Sequence, residues 1–265
     1  MRKLLFFFLA GGLAQLFGGC AVYMPIQGAA PQITDQKQAE LTASSYLNGR
    51  FEVAGAYSPV RHLLVRAAYS KLSDKTTAQD STLYRGNQYE LGAGAYFPLG
   101  PNWLVGGLGG FGQAHSEAAY WAGGSLLGFG RPVRYEYNAR YNKVFGEFYG
   151  IFQASNAISL GAAYRITQVN FTVLTDAGRP VDFAEMARSE PVVFMRVRLG
   201  SGPAATRPAH VQLAWGGSAT FGYDPKVAPL SSSGQLRQTR NYLTLGVSLF
   251  PHCLSGRLKT APDKE

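Results

Sequence analysis

Period-two alternation constrains this chain more than anything else in it. In QYELGAGAYFPL, Tyr89, Leu91, Ala93, Ala95 and Phe97 share one parity against Glu90, Gly92 and Gly94. In PVVFMRVRLG, Val193, Met195, Val197 and Leu199 oppose Arg196 and Arg198. NYLTLGVSLF, RFEVAGAYSP and HLLVRAAYSK repeat the pattern. Successive side chains of a strand point to opposite faces, so each segment predicts a strand with one apolar and one polar face. Weaker alternation over 37–46, 102–113, 133–153, 157–171 and 208–221 brings the count to ten strands, or eight if 37–46 and 208–221 are dropped. No helical period of comparable strength occurs.

The connections carry a second regularity. Tight turns (SPVR at 58–61, PLGPN at 98–102, SNA at 155–157) alternate with long polar stretches over 72–88, 114–132, 172–190 and 222–240. Short turns on one rim and long loops on the other are the asymmetry of an outer-membrane barrel. The expected fold is therefore all-β: an up-and-down antiparallel transmembrane β-barrel of about ten strands. Aromatic residues near segment ends (Phe51, Tyr57, Tyr69, Tyr89, Phe97, Trp103, Phe111, Tyr164) read as girdles flanking a lipid-facing band.

The opposite parity carries Gly, Ser, Thr and isolated charges. Glu52, Arg66, Glu90, Arg134, Glu136, Arg140, Arg165, Arg196 and Arg198 are assigned to the lumen, because a charge facing lipid costs about 2–4 kcal/mol at the midplane. Such residues can plug a narrow lumen with ion pairs. Within RYEYNARYNKVFGEFYGIF the apolar parity changes near Asn142, and a bulge there is expected to restore one apolar face.

The amino terminus predicts export. Arg2 and Lys3 precede an apolar run from Leu4 to Phe17, then Gly18, Gly19 and Cys20. That order is a signal peptide over 1–19, too short to span a bilayer. Small residues before Cys20 fit a lipoprotein signal with Cys20 acylated; the alternative is ordinary cleavage near Ala21. Residues 20–36 are expected as a periplasmic lead, 37–250 as the barrel and 251–265 as a polar, disordered periplasmic tail. YLTLGVSLF, ending at Phe250, is similar to the C-terminal signal that directs barrels into outer membranes. Cys253 has no metal-ligand cluster around it and no evident disulfide partner if Cys20 is acylated.

Composition excludes some classes. With 31 Tyr and Phe and only 15% charged residues the chain is not intrinsically disordered. The net charge of +9 is spread singly along the strands, which gives no nucleic-acid footprint. No cofactor or metal site is expected, and the glycines of LVGGLGGFG follow a turn instead of linking a strand to a helix. The one grouping of base, hydroxyl and carboxylate is His115, Ser116 and Glu117, whose neighbours on a strand point apart.

Cys20 followed closely by YMP, the opening AELTASSYLNGRFEVAGAYSPVRHLLVRAAYS and the strand-turn ELGAGAYFPLG together resemble a family of Bacteroidota outer-membrane β-barrel lipoproteins with no assigned activity. The resemblance implies a barrel in a Gram-negative outer membrane, with lipid as its partner, and no catalytic residues. The expected function is a non-enzymatic structural or surface-interaction role through the loops. Three alternatives stay open: a narrow anion-favouring channel or solute transporter using Arg66, Arg165, Arg196 and Arg198, a lipid-modifying hydrolase, and a soluble periplasmic barrel.

Overall fold

Ten strands hydrogen-bond to their chain neighbours and the last closes on the first. In a computed structural model, which describes residues 22–26, 30–75, 82–123, 132–200, 208–224 and 231–258, the strands are β1 (Ala39–Tyr46), β2 (Phe51–Tyr57), β3 (Leu63–Lys75), β4 (Leu83–Leu99), β5 (Trp103–Ala122), β6 (Val133–Gln153), β7 (Ile158–Asp176), β9 (Glu185–Leu199), β10 (Ala209–Thr220) and β11 (Arg240–Leu249). The two-residue β8 (Arg179–Pro180) only extends a hairpin on β7. Every pairing is antiparallel; β1 pairs with β11, and β6 with β7, so the sheet is a closed barrel. All ten expected strands are present, including the two that an eight-strand count would drop.

The faces are inverted relative to a water-soluble barrel. Leu41, Val53, Leu91, Phe111, Val144, Leu160, Leu213 and Leu245 are exposed on the outside. Glu40, Glu52, Arg66, Glu90, Glu147, Arg165, Glu190 and Arg196 are buried within. Water would leave the outer band unfavourably solvated, whereas lipid tails match it, so this is a transmembrane β-barrel. On β4 the band runs from Tyr89 to Leu99, a length suited to a tilted crossing of roughly 9–11 residues. Leu245→Arg, in the middle of the band on β11, is expected to destabilise the folded barrel by about 2–4 kcal/mol in lipid vesicles. Arg140→Ala, outside the band, is expected to stay within about 0.5 kcal/mol. Urea unfolding followed by electrophoretic mobility checks both.

The wall has unequal height. β1 and β2 have 8 and 7 residues, β5 and β6 have 20 and 21. Much of what the sequence reads as long loops is therefore strand. β5 runs to Ala122 and β7 to Asp176, well into the stretches 114–132 and 172–190. On these extensions most outward residues are polar: Lys71 and Ser73 on β3, Arg85 and Asn87 on β4, Gln113 and Glu117 on β5, and Arg134, Glu136, Asn138, Arg140 and Asn142 on β6, with Trp121, Val133 and Val173 the apolar exceptions. The strands continue past the lipid boundary into water.

β6 corrects one expectation. Its parity runs without interruption: Tyr135, Tyr137, Ala139, Tyr141, Lys143, Phe145, Glu147, Tyr149 and Ile151 all point inward. The irregularity sits on the partner strand, where Arg140 pairs with Val173 and Tyr141 with Phe171, leaving Thr172 as the extra residue. Its hydroxyl donates to the Arg140 carbonyl at 3.1 Å. No bulge is needed on β6, because it is the environment that changes along the strand while the face stays the same.

Among the described residues, two helices lie outside the wall sequence. α1 (Ser232–Arg237) lies between β10 and β11, capped by the Ser231 hydroxyl, which accepts from the Gly234 amide, and it buries Gly234, Gln235 and Leu236. α2 (Pro251–Leu258) follows β11, so the expected disordered tail is helical over its described part. His252 is tied there to the Ala39 carbonyl at 3.2 Å. Cys253 is half-buried, and its backbone amide donates to the Phe250 carbonyl at 3.0 Å. Residues 259–265, like residues 1–21 with the expected signal peptide and Cys20, lie outside the described residues.

Candidate functional site: a filled lumen

Three layers fill the barrel. Nearest the short-turn rim is an apolar layer of Leu64, Tyr96, Leu104, Leu108, Phe145 and Ile151 with their neighbours. Nearest the loop rim is a layer rich in tyrosine, with Tyr84, Tyr120, Tyr135 and Tyr137 in ring contact and Tyr135 and Tyr137 stacked 3° from parallel. Between them lies a layer of charge.

Arg165 on β7 organises that middle layer. Its guanidinium donates through Nε and Nη2 to Glu147 Oε2 at 2.8 and 2.5 Å and through Nη1 to Glu90 Oε2 at 2.9 Å. Lys143 Nζ lies 2.6 Å from Glu90 Oε1 and donates to Gln88 at 2.8 Å, while Arg66 approaches Glu147 at 3.5 Å. Lower in the lumen Arg196 donates to Glu40 at 2.7 Å and to Gln212 at 3.2 Å. Charges this buried persist only when paired and hydrogen-bonded. Among the described residues the buried charges are six cations (Arg50, Arg66, Lys143, Arg165, Arg188, Arg196) and five carboxylates (Glu40, Glu52, Glu90, Glu147, Glu190). The lumen is close to neutral.

Of the residues assigned to the lumen from the sequence, Glu52, Arg66, Glu90, Arg165 and Arg196 lie in it. Arg134, Glu136 and Arg140 do not: they face outward on the part of β6 beyond the lipid band, where charge is solvated. Arg134 and Glu136 pair with each other there at 2.6 Å. Arg198 sits half-buried at the short-turn rim, bonded to Gln153 and to the Asn156 carbonyl. Lys143, Glu147, Arg188 and Glu190 were missed. Lys143 and Glu147 share the parity of Tyr135 to Tyr141, and following that parity through Asn142 would have found both.

The described residues 22–26 and 30–33 lie inside the barrel, where the sequence reading expected a periplasmic lead. Val22, Tyr23, Ile26, Ala30 and Ile33 are at most 3% exposed. Gln32 is bonded at the short-turn rim to Gln153 at 3.2 Å and, through its amide, to Glu40 at 2.6 Å. Ala30 and Ile33 belong to the lower apolar layer. Higher up, the Met24 carbonyl accepts from Gln88 at 2.9 Å. The Tyr23 hydroxyl donates to Glu190 at 2.7 Å, its ring lies 5.7 Å from Tyr141, and the Arg188 guanidinium lies 5.3 Å from its centroid. Glu190 also accepts from Thr167 and Ser218. Val22 ends the described part within the tyrosine-rich layer.

Arg188 also closes the loop rim. It donates to the Leu236 and Gln238 carbonyls at the end of α1 at 3.4 and 3.3 Å, and to Ser218 and Thr220 on β10. Tyr137 donates to the Ser232 carbonyl and Ser232 to Asp176, so α1 is held across the rim from both sides.

Ser116 is buried in the lumen, while His115 and Glu117 face outward with 3.5 Å between Nε2 and Oε1. The hydroxyl and the imidazole are on opposite sides of the wall. Among the described residues no group of three or more His, Cys, Asp or Glu could hold a metal ion.

No protein-family model matches the chain, and neither does any curated protein. Among solved structures the chain is similar to the N-terminal β-barrel domain of Pseudomonas aeruginosa OprF, at 10% identity over 81% of this chain and 98% of that one, with a TM-score of 0.34. It is similar also to the outer membrane protease OmpT from Escherichia coli, at 11% identity over 80% and 90%, with a TM-score of 0.37. OmpT of Vibrio cholerae gives 12% identity over 81% and 95%, with a TM-score of 0.26. At these values the likenesses carry no argument about activity or partners.

Proposed function

We propose that the chain is a sealed, non-enzymatic outer-membrane barrel of a Gram-negative cell. In this reading its working surface is the loop rim, and its export signal ends at an acylated Cys20. The occupied lumen supports the proposal: among the described residues a near-neutral ion-pair layer, a threaded peptide segment and α1 take up its interior. The cations that an anion channel would use are engaged, Arg165 by two carboxylates and Arg196 by Glu40. The tall polar wall of β5 and β6 offers solvated side chains to an external ligand. Purified protein reconstituted in planar bilayers is expected to insulate. Reproducible ohmic steps from the unmodified protein would transfer the reading to a channel.

A further inference from the structure

Two tyrosines mark a place where the outer wall passes from lipid into water. Ala43, Val53, Tyr69, Tyr89, Gln113 and Asn142 are successive partners in one cross-strand row from β1 to β6. The row is apolar at Val53, amphipathic at Tyr69 and Tyr89, and polar from Gln113 onward. Toward the loop rim the next row holds Asn87, His115 and Arg140; toward the turns it holds Leu91, Phe111 and Val144. Two surface grooves meet at this boundary, and Tyr69 and Tyr89 line both.

The lower groove, of about 650 Å³, is a dent in the lipid band. Its floor is Gly55 and Ala67, paired across β2 and β3, with Leu41 and Leu91 as their outer neighbours. The upper groove, of about 510 Å³, is lined by Asn87, Gln113, His115, Arg140, Asn142 and Thr172 as well as the tyrosines. No carboxylate is among its described lining residues; Glu117, outside the lining, lies 3.5 Å from His115 Nε2. Arg134 is paired with Glu136, whereas Arg140 has no ion-pair partner among the described residues. Thr172 donates to the Arg140 carbonyl at 3.1 Å, which holds the bulge of β7 against the strand that carries this cation. The Tyr89 hydroxyl donates to Gln113 Oε1 at 2.6 Å and leaves the Gln113 amide nitrogen as a donor.

We propose that the two grooves are one binding site for a lipid with a net-anionic, phosphate-bearing headgroup. The phosphate sits on Arg140 with the Asn87, Gln113 and Asn142 amides around it, and an acyl chain lies in the dent over Gly55 and Ala67. A guanidinium meets phosphate oxygens through two parallel bonds, and an acyl chain in a dent gains carbon contacts that a convex wall does not offer. Tyr69 and Tyr89 join the halves at the depth where an amphiphile changes from head to tail. The site gives the loop-rim surface proposed above its ligand class, and rests on that reading.

Full-length protein in neutral detergent, with heat-modifiable mobility as the folding check, is titrated with dioleoyl phosphatidic acid, dioleoyl phosphatidylcholine and dioleoylglycerol. Bound lipid is counted by native mass spectrometry. Phosphatidic acid is expected to bind about tenfold more tightly than the other two. Arg140→Gln is expected to abolish that preference, and Ala67→Trp, which fills the dent, to weaken phosphatidic acid with no change of charge. Arg134→Gln and an excess of soluble glycerol phosphate are expected to leave binding unchanged. Equal binding of the three lipids, a preference that survives Arg140→Gln, or one lost equally in Arg134→Gln overturns the site. Displacement by glycerol phosphate, or binding indifferent to Ala67→Trp, overturns the lipid as its ligand and leaves an anion subsite. If Ala67→Trp fails the folding check, Ala67→Leu takes its place. A barrel that insulates in planar bilayers yet shows no preference loses this site alone, whereas ohmic steps from the unmodified protein remove the sealed-barrel reading whatever lipid it binds.

Discussion

Arg165→Met is expected to lower the unfolding free energy by about 3–5 kcal/mol, because it leaves buried carboxylates without their counter-ion. Glu147 loses its shortest contacts and keeps only Arg66 at 3.5 Å, while Glu90 keeps Lys143 at 2.6 Å. The uncompensated charge therefore falls mainly on Glu147. Adding Glu147→Gln to Arg165→Met is expected to recover a substantial part of the loss, since a neutral amide needs no counter-ion. Urea midpoints in lipid vesicles, read by heat-modifiable mobility on gels, give both numbers. A loss below about 1 kcal/mol would mean that water reaches the pair and screens it, as for a surface ion pair.

Deleting residues 22–33 is expected to turn an insulating barrel into a conducting one. The deletion empties the lumen of Val22, Tyr23, Ile26, Ala30 and Ile33 and strips Glu190 and Gln88 of partners contributed by the segment. Water then enters beside a charged layer. Fully burying a large apolar side chain stabilises by about 1.5–3 kcal/mol, so the shortened barrel is also expected to melt earlier. Discrete conductance steps in planar bilayers, absent from the unmodified protein, are the readout. Arg165→Met supplies the control, being destabilised with the segment in place and expected to insulate. An insulating deletion variant would place the seal in the side-chain layer and α1 alone.

The barrel was legible where lipid imposes one rule on both faces. QYELGAGAYFPL reads correctly because its outward Tyr89 to Phe97 meet lipid and its inward Glu90 meets other charges. The rule stops working where the wall rises into water. Along β6 the inward parity stays apolar or aromatic for most of its length (Tyr135, Tyr137, Tyr141, Phe145, Tyr149, Ile151), while the outward parity changes from Arg134, Glu136 and Arg140 to Val144 and Phe148, because the medium changes beside a strand whose geometry does not. An apparent change of parity in sequence is thus the mark of the membrane surface, and it explains why Arg134, Glu136 and Arg140 were drawn into the lumen on paper. The threaded segment left a different signal. From Cys20 to Thr34 there is no charged residue, yet Val22, Tyr23, Ile26 and Ile33 are large and apolar, a composition that suits burial better than a linker. No periodicity accompanied it, since an extended chain contacted on all sides has no polar face.

The unequal wall has a consequence for how the molecule is put together. β1 and β11 meet over six paired positions, from Leu41 with Leu249 to Tyr46 with Thr244, whereas β5 and β6 share twenty. A finished hoop cannot easily be threaded by a chain bearing a bulky end. A hoop left unstitched at its shortest seam can be wrapped around that chain and then closed. The low side of the barrel is thus the natural last stitch of assembly, with the occupant of the lumen in place before the knot is tied.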